Sequence, residues 1–243
     1  MNSFWACYVA KTEVEKYWYL SYYLSTTNSI FCVMIWYPVQ IQCQPPPISR
    51  RDDVFMGNTS LRNNWCNDNP NMYDVACVAI FIGYVVWDLF LYVFLVKDTT
   101  SRAAKELLLH HFICIGGCTG AIIFSKYLLT ASSMGQITEL STPFMSLRWL
   151  LVQHKMEKSR LYLINGFVFL GTFFAARNLL MTWFTLGCMV PGWIRNNFEL
   201  EKPFVAVLGF GVLICFYATL LGLNWFWFTK ILKGAMKALK KTI

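Results

Sequence analysis

Val75-Ala76-Cys77-Val78-Ala79-Ile80-Phe81-Ile82-Gly83-Tyr84-Val85-Val86-Trp87-Asp88-Leu89-Phe90-Leu91-Tyr92-Val93-Phe94-Leu95-Val96 is the stretch on which the fold turns. It reaches the roughly 20 apolar residues needed to cross a hydrocarbon core, and Asp88 is its one charged side chain. The apolar residues do not alternate with polar ones, as a barrel strand would require. A helix is therefore the economical reading, because it satisfies its own backbone amides where lipid offers them no partner.

Further apolar runs lie at residues 18–41, 107–130, 161–189 and 204–229, with a shorter one at 137–152. The first is broken by Ser25-Thr26-Thr27-Asn28-Ser29. Of the 243 residues, 56% are hydrophobic and 14% charged, whereas a soluble domain carries about 25% charged residues. Too little polar surface remains to cover a globule in water. A soluble enzyme, a nucleic-acid module and a disordered chain are all disfavoured. The expectation is an all-α integral membrane protein of about six transmembrane helices. Residues 1–74 hold an N-terminal segment, the first helix and a polar loop, 75–230 the main bundle, and 231–243 a basic tail. The loop at 42–74 falls short of the roughly 40 residues at which an unstapled domain becomes plausible. Any chemistry is expected inside the bundle.

The formal net charge is +8, and its placement on loops points to topology, not to nucleic acid. Lys11, Lys16, Lys97, Arg102, Lys105, Lys155, Lys158, Arg160 and the Lys-rich tail fall on one side; Arg50, Arg51, Arg62, Arg195 and Lys202 fall on the other. Both termini are expected in the cytosol, or in the matrix if the protein is mitochondrial. The first 49 residues lack Arg and contain Glu13 and Glu15, which fits neither a cleaved signal nor an Arg-rich presequence. Lys240-Lys241-Thr242-Ile243 resembles a dilysine retrieval signal of the endoplasmic reticulum; it reads equally as a tail held by anionic headgroups. The organelle is expected to be the endoplasmic reticulum or the mitochondrial inner membrane. Asn58-Thr59-Ser60 is a glycosylation sequon. Cys43 and Cys66 share the polar loop and would pair in an oxidising compartment.

Charges inside a span are costly and mark candidate sites. Asp88, Lys126, Glu139, Arg148 and Arg177 lie well inside the runs, His110-His111 opens the third, and Asn165 lies in the fifth. Internal ion pairs fixing helix register are one reading; functional groups are the other. Adjacent helical residues point about 100° apart, so one imidazole of the pair at most faces the centre squarely. Asp88 matches the His pair in depth and is the candidate orienting acid. His110, Cys114 and Cys118 share one helix face, a collinear set unsuited to a tetrahedral metal, so no metal is expected. Gly116 and Gly120 form a small-xxx-small pair that lets a helix or an acyl chain approach closely. On a simple up-and-down path His111 and Glu139 lie near opposite ends, and Lys126 is the easier partner for Glu139. They meet only if the third helix starts higher or the fourth dips inward around Pro143.

Gly83-Tyr84-Val85-Val86-Trp87-Asp88, Leu109-His110-His111-Phe112 and Thr138-Glu139-Leu140-Ser141-Thr142-Pro143-Phe144 recur in order with Leu147-Arg148-Trp149 and Asn165-Gly166. Phe173-Phe174-Ala175-Ala176-Arg177 and Leu223-Asn224-Trp225-Phe226-Trp227-Phe228 follow. Together they resemble the TLC-domain family, most closely its small transmembrane members, with ceramide synthases as distant relatives. The resemblance implies six helices around a central cavity that admits an acyl chain. It implies that His110 and His111, with Asp88 as orienting acid, correspond to the His pair thought to handle the acyl group. Glu139, Arg148, Arg177, Lys126 and Asn165 would contact the lipid, with Arg148 and Arg177 alike binding a phosphate or carboxylate headgroup. The synthases carry a His-Asp and then a further Asp where this chain has Glu139 as a single carboxylate, a departure that bears on N-acyl transfer. The expected partners are membrane lipids, with acyl-CoA as co-substrate only if the chain is an acyltransferase-like enzyme. The rival expectation is a non-catalytic subunit of a larger membrane complex, for example a respiratory assembly, that reuses the fold and holds lipid.

Overall fold

The computed structural model describes residues 12–36, 72–97, 99–124, 129, 132–133, 135–190 and 204–242. Lys126, the Cys43–Cys66 pairing and the sequon at Asn58 lie outside the described residues. Among the described residues, six helices follow one another. Helix α1 spans Glu13–Ile30 and continues as a π-helical turn, Phe31–Trp36. Helix α2 spans Met72–Phe90 with a π-helical end, Leu91–Val96. Helix α3 is Arg102–Phe124. A 3₁₀ segment, Gln136–Ser141, leads into α4, Thr142–Gln153. Helix α5 starts as Arg160–Phe173, then passes through a π-helical stretch, Phe174–Leu180, to Met181–Phe184 and Thr185–Met189. Helix α6 is Phe204–Thr242, 39 residues or about 58 Å of axis.

Four of these carry stretches long and apolar enough to cross a membrane: Asp74–Val96, Arg102–Ile123, Arg160–Gly187 and Gly211–Lys237. Helix α4 has 12 residues, about 18 Å, short of the hydrocarbon thickness. Pro143 sits in its first turn, where a missing N–H costs nothing. The inward dip around Pro143 is thus the start of a helix, not a kink within one.

Helix α1 falls short of the apolar threshold for a different reason. Its Thr12–Glu15 capping box secures the start. Beyond it, Ser25, Asn28, Ser29 and Cys32 are buried, at the three- and four-residue spacing of one helix face. The polar interruption seen in the sequence is therefore the face that α1 turns toward the bundle. Apolar Tyr23, Ile30 and Met34 are exposed instead.

Helices α3 and α6 pack along their length, α2 lies against α3, and α1 and α5 flank α4. Close α3–α6 contact depends on the glycine pair. A Cβ at Gly120 would stand 2.5 Å from Leu213 Cδ2, and one at Gly116 would stand 2.9 Å from Phe216 Cε2. The small-xxx-small pair serves helix packing. A cluster of Val78, Phe81, Val85, Cys114, Cys118 and Leu129 fills the α2–α3 side.

Candidate functional site

Polar side chains from all six helices collect inside the bundle, where each buried donor or acceptor needs a partner. Arg177 anchors the densest group. The wider turn of the π-helical stretch adds one residue to the i→i+4 ladder, and Ala176, Arg177 and Asn178 are all buried there. Arg177 Nη2 donates to Glu139 Oε1 at 3.2 Å and to Thr142 Oγ1 at 3.1 Å. Its Nε donates to the Thr138 carbonyl and to Ser141 Oγ, both at 3.0 Å. Glu139 Oε2 accepts from Thr142 Oγ1 at 2.8 Å and Ser29 Oγ at 3.3 Å. A buried charge pair holds only when its remaining donors and acceptors are met, and here most are. The partner of Glu139 among the described residues is Arg177. Lys126, the expected one, is not described.

Next to this group, Gln136 Oε1 accepts from Cys32 Sγ at 3.0 Å and Cys77 Sγ at 2.9 Å. The amide joins α1 and α2 to the 3₁₀ segment. Asn224 of α6 donates to the Arg177 carbonyl at 3.4 Å and approaches Met181 Sδ at 3.1 Å.

A cavity of about 150 Å³ lies between α3, the 3₁₀ segment, α5 and α6. His110, Cys114 and Cys118 form its α3 wall, Glu139 and Arg177 a polar wall, and Asn224 part of α6's contribution. The rest is mainly apolar: Phe81, Ile113, Leu180, Phe216 and Leu220 among others. Leu180 and Trp183 line it and are themselves exposed, so the cavity reaches the exposed apolar side of α5. His110 and Glu139 share this one cavity. The 3₁₀ segment places the acid on the same cavity as His110, whereas His111, the imidazole expected at the opposite end from Glu139, does not line it.

The two imidazoles part company. His111 Nε2 stands 3.0 Å from Asp88 Oδ2, and Ser21 Oγ hydrogen-bonds Asp88 Oδ1. Both His111 and Asp88 are buried; neither lines the cavity. His111 Nδ1 is buried with no partner among the described residues. His110 turns the other way, with its ring 5.4 Å from that of Trp227 and its nitrogens 3.6–3.8 Å from Cys114 Sγ. The 100° offset between neighbours puts them on different sides of α3.

Arg148 and Arg177 do not meet. Arg148 lies over the Tyr162 ring, 4.1 Å from its centroid, and lines a separate cavity. Asn165 donates to the Phe144 carbonyl at 2.9 Å and ties α5 to α4. Sequence reasoning passed over Ser21, Ser29, Gln136 and Asn178. Uncharged polar residues in apolar runs carry a weak signal, although the spacing of Ser25, Asn28, Ser29 and Cys32 would have revealed a polar face.

Comparison with known proteins agrees with this architecture. A family model of the TLC domain matches residues 12–233, taking in α1 as well as the helices beyond residue 75. TLC domain-containing protein 2 of Danio rerio is 28% identical over 142 residues, 58% of this chain and 54% of that protein. TLC domain-containing protein 1 of Gallus gallus is 30% identical over 148 residues, 56% of this chain and 57% of that protein. The matched part of the chain spans about half the length of these curated relatives. No solved structure matches it. With the helical bundle, its inner polar layer and the match across nearly all the described residues, this chain belongs to the TLC-domain family.

Proposed function

We propose that the chain binds an acyl lipid in the central cavity, entering from the membrane beside Trp183. The carrying observation is the combination of an apolar cavity, exposed apolar residues at its edge and a charged but internally neutralised wall at Glu139 and Arg177. The pair leaves little net field in the cavity, which favours a neutral polar group such as an ester, amide or hydroxyl over a free carboxylate. Arg177 Nη1 has no hydrogen bond to a described residue, which leaves its two N–H groups for that group's oxygen. A volume of about 150 Å³ matches cavities that hold one benzene ring. One segment of a chain fits, and the remainder stays in the bilayer.

His110 stands on the wall as a contact for the polar end of the lipid. The Asp88–His111 pair lies outside the cavity wall, and the reading assigns it a supporting role. Native mass spectrometry of protein extracted in mild detergent tests the proposal. Wild type is expected to carry an acyl lipid, and Leu180→Trp, which narrows the mouth at an exposed position, is expected to carry one lipid fewer per chain. Lipid-free wild type, or equal occupancy in the variant, would overturn the reading.

A further inference from the structure

Arg148 lies over an aromatic ring, as Arg102, Arg177 and Lys230 do, but unlike those three it has no acid partner among the described residues. It projects from α4 half-buried, with Tyr162 stacked beneath it. Its Nη1 lies 3.0 Å from the point where a Cβ on Gly166 would stand, so the glycine admits the guanidinium. No carboxylate among the described residues pairs with it. A second cavity, about 290 Å³, opens beside it between α4, α5 and α6, with Lys230 and Gly234 on its far wall.

Positive charge is in excess around this cavity. Lys230 Nζ lies 2.7 Å from Glu106 Oε2, and Arg102 Nε lies 3.3 Å from Glu106 Oε1. One acid therefore serves two bases before Arg148 is counted. Lys155, Lys158 and Arg160 border the turn between α4 and α5 against one acid, Glu157, and Lys233 and Lys237 follow on α6. Tyr162 is in the first turn of α5, and Arg148 is in the last two turns of α4. The cavity thus lies near helix ends, where a spanning helix leaves the hydrocarbon for the headgroups.

We propose that this second cavity binds a phosphate anion, supplied by the headgroup of an anionic phospholipid. A guanidinium presents parallel N–H groups that match two phosphate oxygens, and the Tyr162 ring fixes the plane of the fork. Unpaired basic pockets between helices at the membrane surface suit such headgroups. Leu163, Phe167 and Ile231 complete the wall and fit the first methylenes of the chains, which a soluble anion lacks. The site is distinct from the central cavity and stands whether or not that cavity holds lipid.

Purified full-length protein in neutral detergent is titrated with phosphatidylglycerol, phosphatidylcholine or inorganic phosphate, followed by native mass spectrometry and thermal melting. Phosphatidylglycerol is expected to stay bound and raise the melting temperature. Phosphatidylcholine, whose choline meets the excess positive charge, is expected to do so far less. Arg148→Gln should weaken retention about tenfold or more, and Arg148→Lys should fall between, keeping charge without the fork. If Arg148→Gln does not fold, Gly166→Val gives the second reading, since it displaces the guanidinium and keeps the charge. An equal shift from inorganic phosphate without lipid would keep the site and assign it to a soluble anion. Equal binding of the anionic and zwitterionic lipids by wild type, or undiminished binding by a folded variant, overturns the proposal.

Discussion

Arg177 Nη2 and Glu139 Oε1 stand 3.2 Å apart with both side chains nearly inaccessible. They are far apart in sequence and come from elements of unusual geometry: a π-helical stretch and a 3₁₀ segment. Each distortion turns a charged side chain inward that a regular helix would place elsewhere. Desolvating two such charges is expensive, and their attraction offsets it only while both remain.

Glu139→Gln removes one charge and leaves Arg177 buried against neutral partners. The expected loss is about 3–5 kcal/mol, read from thermal or denaturant unfolding in detergent. Glu139→Gln combined with Arg177→Met should be less damaging than the sum of the single changes, since the second removes the orphaned cation. Additive losses would mean that the two groups do not act as a pair.

Glu106 provides the opposite case. It binds Lys230, Arg102 and the Trp227 indole, but Arg102 is 81% and Lys230 48% exposed. Water and salt screen such pairs, whose usual worth is about 0–1 kcal/mol. Glu106→Gln should therefore leave the melting temperature within a few degrees of wild type. A loss comparable with that of Glu139→Gln would show the cluster to be far better shielded than its exposure indicates.

His110 and His111 should separate in mutants as they do in space. Asp88→Asn changes a buried acceptor shared by His111 and Ser21, with an expected stability cost of about 1–3 kcal/mol. His110→Ala trims the cavity wall and should cost less stability while changing the amount or identity of bound lipid. Lipid analysis of the purified variants alongside their melting curves distinguishes the two. If His111→Ala alters lipid occupancy and His110→Ala does not, the assignment of sides is reversed.

The long apolar runs were readable because length and composition alone select a spanning helix, and α2, α3 and α5 follow them closely, while α6 continues past its run through the basic tail. The ends of the first and fourth runs were less readable. In α1 the buried face is polar, so hydropathy understates its place in the bundle; α4 begins where the chain leaves a 3₁₀ turn that no apolar pattern encodes. Among site residues, Asp88 beside His111 followed from depth, and the parting of the imidazoles from helix geometry. The Arg177–Glu139 partnership did not follow, because a π-helical turn shifts register by one residue without a composition signal. The two arginines looked interchangeable in sequence and lie in different cavities.

Gly120 supplies a test of how the central cavity is enclosed. A Cβ there would meet Leu213 Cδ2 at 2.5 Å, a contact that forces α6 away from α3 or drives Leu213 off its rotamer. Overpacking of this kind costs about 1–3 kcal/mol, so Gly120→Ala should lower the melting temperature. Leu213→Ala in the same chain should restore part of the loss, because it removes the struck atom. Gly83, with nothing within 4 Å of its own added Cβ, is the matched control on α2, and Gly83→Ala should leave stability unchanged or slightly improved through helix propensity. Since Phe216 and Leu220 of α6 line the cavity together with His110 and Cys114 of α3, a shift of α6 should also change lipid retention. A Gly120→Ala protein that melts like wild type would mean that α3 and α6 are not held together at this point.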